Sequence, residues 1–115
     1  MNEGYSVKVK LTVHREKSFF GPGIVTLLEL IDETGSVKLA CRQMDLSYTK
    51  AWTILNRAEE QLGYELLKRN QGGRQGGGAS LTDKGRETIS KYRELQERVS
   101  DYAKEAFDEI YPEGM

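Results

Sequence analysis

The chain has 115 residues, 37% hydrophobic and 30% charged, and its 17 Lys and Arg against 18 Asp and Glu leave a formal net charge of -1. That is one domain's worth of chain, enough to fold unaided. A single Cys (Cys41) excludes an internal disulfide and a Cys-rich zinc site, and a single His (His14) leaves nothing for a His-based metal site or a catalytic triad.

Near the start, Val7, Val9, Leu11 and Val13 alternate with Lys8, Lys10, Thr12 and His14. Period two with β-branched residues predicts a strand with one buried face, His14 being an exposed residue at its end. After the turn-like residues 15–18, Phe19 and Phe20 make a short returning strand, so residues 1–20 are expected to hold a strand or β-hairpin. Gly21, Pro22 and Gly23 then open a helix, because Pro in a first turn sacrifices an N–H that has no partner there. Ile24, Leu27, Leu28 and Ile31 repeat at helical spacing. Gly35 stops this helix and Ser36 caps a short second one, with Val37, Ala40 and Cys41 on one side. Cys41 reads as a small buried hydrophobe. Ser47 caps a third helix to about Leu62, striped by Ala51, Leu55, Ala58 and Leu62 and ended by Gly63. Two helices joined by so tight a turn outline a helix-turn-helix.

Residues 64–70 can pair with residues 79–82 as a second hairpin. Its tip, residues 72–78, holds five glycines in seven positions, which cannot make a packed element. The tip lacks the Gly-Lys-Ser/Thr ending of a P-loop, so no mononucleotide site is expected. From Thr82 and Asp83 a last helix runs to near Tyr111, its seam formed by Ile89, Tyr92, Leu95, Val99, Tyr102, Ala106 and Ile110. It covers about 28 residues, or about 42 Å. Such a helix overhangs a domain of this size and is expected to pack against a partner. The fold class is therefore α+β, mainly α: a single domain over 1–115, with a winged helix-turn-helix at 21–82 between an N-terminal hairpin and a long helix at 83–111.

In this architecture the third helix enters the DNA major groove and the hairpin reaches neighbouring phosphates. Tyr48, Thr49, Lys50, Thr53, Asn56 and Arg57 lie off the apolar stripe, mostly in the half of the helix that meets base edges. Trp52 is expected to pack against the wing or the first helix rather than a nucleotide. The adjacent Glu59 and Glu60 point about 100° apart and read as solvated, not as an acid/base pair. Near-neutral charge argues weakly against nucleic acid, but its distribution reverses the argument. Residues 66–86 carry Lys68, Arg69, Arg74, Lys84 and Arg86 against Asp83 alone, a net +4, while residues 87–115 carry four basic and eight acidic side chains, a net −4. A basic hairpin suits phosphate contact through Lys68, Arg69 and Arg74. No nucleophile-base or metal-ligand set can be assembled, so neither an enzyme nor a cofactor is expected. No apolar run approaches the roughly 20 residues that cross a bilayer, and there is no signal-peptide core, so a cytoplasmic location without membrane contact is expected. The competing reading is a protein-interaction module of winged-helix shape that has lost DNA binding and works through the acidic last helix.

Residues 36–85 resemble the winged helix of LysR-type regulators and, more closely, the N-terminal domain of the molybdate-responsive ModE-type regulators. The matching residues are Ser47, Tyr48, Ala51 and Trp52, then Leu62 and Gly63, then the wing at 72–79 with Leu81, Thr82 and Gly85. Upstream, residues 19–23 also fit. The resemblance implies a transcriptional regulator that binds double-stranded DNA as a homodimer, reading it with Tyr48, Thr49, Lys50, Thr53, Asn56 and Arg57. It further implies a wing phosphate contact at Arg74 and dimerisation through Tyr92, Leu95, Val99, Tyr102, Ala106 and Ile110. Asp45 stands where the resemblance leads one to expect a glycine, and Asp tolerates the left-handed geometry at some cost. The oxyanion domains of ModE-type proteins follow the last helix, so no molybdate site is expected in this chain, and a stand-alone regulator is.

Overall fold

Helix boundaries fall where the capping residues put them. The computed structural model describes residues 4–70 and 78–115. The elements in chain order are β1 (Val13–His14), β2 (Ser18–Phe20), α1 (Pro22–Thr34), α2 (Val37–Met44), α3 (Tyr48–Leu62), β3 (Leu67–Asn70), β4 (Gly78–Leu81) and α4 (Asp83–Ile110). Three hydroxyls act as N-caps: Ser36 accepts from the Leu39 amide, Ser47 from Lys50 and Thr82 from Gly85. Gly35 and Gly63 end α1 and α3 in the left-handed conformation, at φ 73° and 82°.

The apolar stripes expected on α1, α2 and α3 meet in one core. Val25, Leu27, Leu28, Ile31, Val37, Leu55 and Leu66 are fully buried there. Cys41 lies in the same core, and burial pushes its thiol pKa up, as for a small hydrophobe rather than a reactive group. The wing strands pair antiparallel, Leu67 opposite Leu81 and Asn70 opposite Gly78. An added bridge between Ser36 and Gly78, with the Ala79 amide donating to the Gly35 carbonyl, anchors the wing to the α1–α2 connection.

Gly85 is a close-approach glycine. A Cβ there would run into the Leu66 carbonyl oxygen, which already accepts from the Thr82 amide at 2.9 Å. The Thr82 hydroxyl both donates to the Glu65 carbonyl and caps α4. The pairing of Thr82 with Gly85, met above as a motif, thus has a steric cause: it seats the first turn of α4 on the base of the wing.

One expected element is smaller than its pattern suggested. Of residues 7–14, only Val13 and His14 pair with β2, through an irregular register. The alternation persists in exposure, with Val7, Val9 and Leu11 half-buried and Lys8 and Lys10 exposed, but residues 5–12 have no strand partner. Two ties set the segment against α4 instead. The Tyr92 hydroxyl donates to the Leu11 carbonyl at 2.7 Å, and the Tyr5 and Phe107 rings lie 6.4 Å apart. Tyr92 and Phe107 are about 22 Å apart along a helix, which matches the reach of an extended chain between Tyr5 and Leu11. The period-two pattern here reports one face laid on a helix. The α4 helix gives the molecule its long axis, 59 Å against 28 and 22 Å.

Candidate nucleic-acid interface

The short connection between α2 and α3 fixes their angle. Asp45 takes the left-handed conformation at φ 53°, the one non-glycine residue to do so among the described residues. Its amide and that of Leu46 donate back to carbonyls of the last turn of α2. Ser47 then starts α3 at once. The α3 stripe is seated in the core by Ala51, Leu55 and Ala58. Those anchors turn Tyr48, Thr49, Lys50, Thr53, Asn56 and Arg57 outward, and all six are exposed. The Thr53 hydroxyl donates to the Thr49 carbonyl, and Arg57 lines a cleft with Lys10 and Thr12. This is one contiguous polar surface on the N-terminal and middle turns of a firmly packed helix.

The α2 helix adds two cations that the sequence reading passed over. Lys38 and Arg42, one turn apart and both exposed, line a shallow cleft with Asp45, Ser47 and Tyr48 at the mouth of the turn. Their i, i+4 spacing opposite Val37, Ala40 and Cys41 was a readable signal. Lys38 Nζ lies 5.9 Å from the centre of the Tyr48 ring.

On the wing, Lys68 and Arg69 are exposed, and the Arg69 guanidinium lies over the Trp52 ring at 4.1 Å. Trp52, half-buried, packs against the wing as its position suggested. Arg74 and most of the glycine-rich tip fall outside the described residues. The +4 count for residues 66–86 is reduced by local pairing. Arg86 forms an ion pair with Asp32 of α1 at 2.8 Å, and Lys84 lies over the Tyr64 ring. Those two cations are engaged at the base of the wing, and the basic face is carried by α2, α3 and β3 together.

Two further expectations change. Glu59 is not an idle solvated carboxylate: one of its oxygens accepts from the amides of Leu66 and Leu67, at 2.7 and 3.2 Å, and ties the start of β3 to α3. Nothing local announces this, because the donors lie across a turn. Glu60 is exposed. In the α4 seam, Tyr92 is 4% exposed and spent inside the chain, on the Leu11 carbonyl and edge-on to Phe20. It is a core residue, not part of an open face. Leu95, Tyr102 and Ile110 are exposed, at 47%, 73% and 69%, and Val99 and Ala106 are half-buried. Among the described residues, no helix is long and apolar enough to cross a membrane.

A short helix, a left-handed turn, an exposed second helix and a pinned hairpin define the class: a winged helix-turn-helix. Residues 25–86 match the family of bacterial regulatory helix-turn-helix proteins, lysR family. The chain belongs to that family, and the helix-turn-helix, wing base and first turn of α4 all lie inside the matched span. Within it, the similarity is to ModE-type proteins. The chain is 40% identical over 72 residues to the molybdenum transport protein ModE of Azotobacter vinelandii, covering 63% of this chain and 27% of that protein. It is 32% identical over 99 residues to the transcriptional regulator ModE of Haemophilus influenzae, covering 85% and 38%. It is 31% identical over 90 residues to the DNA-binding transcriptional dual regulator ModE of Escherichia coli, covering 76% and 34%. The chain thus spans about a third of the length of these relatives.

Proposed function

We propose that this chain binds double-stranded DNA and regulates transcription as a homodimer, with α3 in the major groove and the β3–β4 wing on the adjacent backbone. The observation that carries the reading is the exposed row Tyr48, Thr49, Lys50, Thr53, Asn56 and Arg57, flanked by Lys38 and Arg42 on one side and Lys68 and Arg69 on the other. Asn56 suits adenine, Arg57 suits guanine or a phosphate, and the threonine methyls suit thymine. The flanking cations suit phosphates, with Arg74 of the wing tip proposed beside them. The homodimer is proposed through Leu95, Val99, Tyr102, Ala106 and Ile110. Its support is that Leu95, Tyr102 and Ile110 of this apolar seam are exposed, with Val99 and Ala106 half-buried between them. A dimer matches a pseudo-palindromic site with half-sites about one helical turn apart, or a multiple. A cytoplasmic location goes with this reading.

A salt titration tests it. If about six phosphates are contacted, affinity for a duplex falls about 10³-fold between 50 and 200 mM salt. Arg74→Ala weakens all sequences alike, whereas Asn56→Ala and Thr53→Ala shift the preference between sites. Failure to bind genomic fragments at low salt overturns the proposal. Sedimentation of the free chain checks the dimer: Tyr102→Glu with Ile110→Glu yields monomers, and a wild-type chain already monomeric removes that part of it.

A further inference from the structure

The cations of the proposed DNA face are not held alike. Lys50 and Lys68 are exposed side chains, whereas Arg69 lies over Trp52 with its guanidinium carbon 4.1 Å from the ring centre. Trp52 in turn meets Tyr48 edge to face at 6.3 Å, and Tyr48 lies beneath Lys38 Nζ at 5.9 Å. The row Lys38, Tyr48, Trp52, Arg69 therefore crosses α2, α3 and β3, with a cation at each end and two aromatic rings between.

From this row we infer that Trp52 is a positioning residue for DNA binding: it holds the Arg69 guanidinium over its ring, beside α3, so that the wing's phosphate contact is set relative to the recognition helix before DNA arrives. This rests on the DNA-binding reading above and adds a named device to it. The chemistry suits the role. A guanidinium stacked on an aromatic face keeps its in-plane N–H donors pointing outward, where a phosphate oxygen can accept two of them. A free arginine must be immobilised on binding, at a cost that a pre-stacked one has already met. Trp52 is half-buried and packs against the hydrophobic core, which seats the ring that Arg69 lies over.

The inference makes Trp52 act through Arg69 alone, which sets the test. A short random-sequence duplex is titrated with the wild-type chain, Trp52→Leu, Trp52→Phe, Arg69→Gln and the Trp52→Leu/Arg69→Gln double variant, at several salt concentrations. Trp52→Leu keeps the charge, so its salt dependence stays that of wild type while affinity falls about fivefold, the cost of re-ordering one long side chain. Trp52→Phe restores most of that loss, because it returns a ring face. Arg69→Gln lowers the slope of log affinity against log salt by about 0.9, one phosphate's worth. In the Arg69→Gln background, the Leu substitution costs nothing more. A second measurement needs no DNA. The chain has one tryptophan, so acrylamide quenching under tryptophan-selective excitation reports on Trp52 alone, and it rises in Arg69→Gln as the ring face is uncovered. A Trp52→Leu loss of equal size with and without Arg69, or quenching unchanged by Arg69→Gln, overturns the inference while leaving the DNA reading intact. A wild-type chain that does not bind the duplex overturns both.

Discussion

Two sides of this molecule both carry cations and treat them differently. Where α4 meets α1, cations are paired: Arg86 with Asp32, and Arg93 with Glu29 through two of its nitrogens. Along α4 itself, Lys91 pairs with Glu87 and Arg98 with Glu94 at i, i+4 spacing. On the side formed by α2, α3 and β3, none of Lys38, Arg42, Lys50, Arg57, Lys68 and Arg69 has an ion pair among the described residues. A net charge of -1 is thus compatible with a face whose cations have no ion-pair partner among the described residues. What distinguishes a polyanion-binding face is how its cations are partnered, more than how many the chain holds.

Substitutions can break this contrast from either side. The largest effect is expected at the shared frame. Gly85→Val drives a side chain into the Leu66 carbonyl and disturbs the foot of the wing and the start of α4 together, so urea unfolding should show a loss of about 3 kcal/mol. On the open side, Lys38→Gln with Arg42→Gln should cost roughly fiftyfold in duplex affinity at 0.1 M salt and lower the salt slope by about 1.8, from two lost phosphate contacts. The unfolding midpoint should not move. On the paired side the outcome inverts. Arg93→Met strands Glu29 at the α1–α4 seam; both groups are more than a third exposed, so solvent screening limits the loss to about 1 kcal/mol, and duplex affinity is unchanged. The smallest effect is expected for Glu87→Gln. Its partner Lys91 holds the Glu87 carboxyl below the usual range through a hydrogen bond, but both side chains are exposed to solvent. A depressed carboxylate pKa contributes stability above the unfolded pKa, and this is lost as pH falls through the folded value. The pair's share should be too small to see in melts compared between neutral and acid pH.

The parts of this contrast that were legible in the sequence are local ones. Ser36, Ser47 and Thr82 cap the amides three residues on, and Gly35 and Gly63 end α1 and α3, so the helix limits of the fold could be read almost to the residue. The outward row on α3 followed from its apolar stripe in the same way. What was not legible depends on partners far along the chain. Arg86 finds Asp32 and Arg93 finds Glu29 only after the fold brings α4 against α1, so a count of basic residues near the wing overstated its free charge. The alternation of residues 7–11 correctly reported a one-sided surface, whereas beyond it Thr12 is half-buried and Val13 exposed. It could not say that the covering surface is α4, through the Leu11–Tyr92 contact, rather than a neighbouring strand. Tyr92 looked like a seam residue for the same reason, since periodicity records that a face is apolar and not what lies on it.

The peptide groups at Leu66 have a consequence for how this wing can vary. The Leu66 amide is held by Glu59 of α3, and its carbonyl accepts from Thr82 at the head of α4. The α3 helix, the wing and α4 are therefore stitched together at Leu66, on the core side of the hairpin. The segment between β3 and β4 can be lengthened, shortened or recoded as a replaceable tip, because insertions there pull on the Asn70–Gly78 end of the ladder and not on the junction at Leu66. On the proposed DNA-binding reading, the length and sequence of the tip can then change while α3 and α4 keep their places.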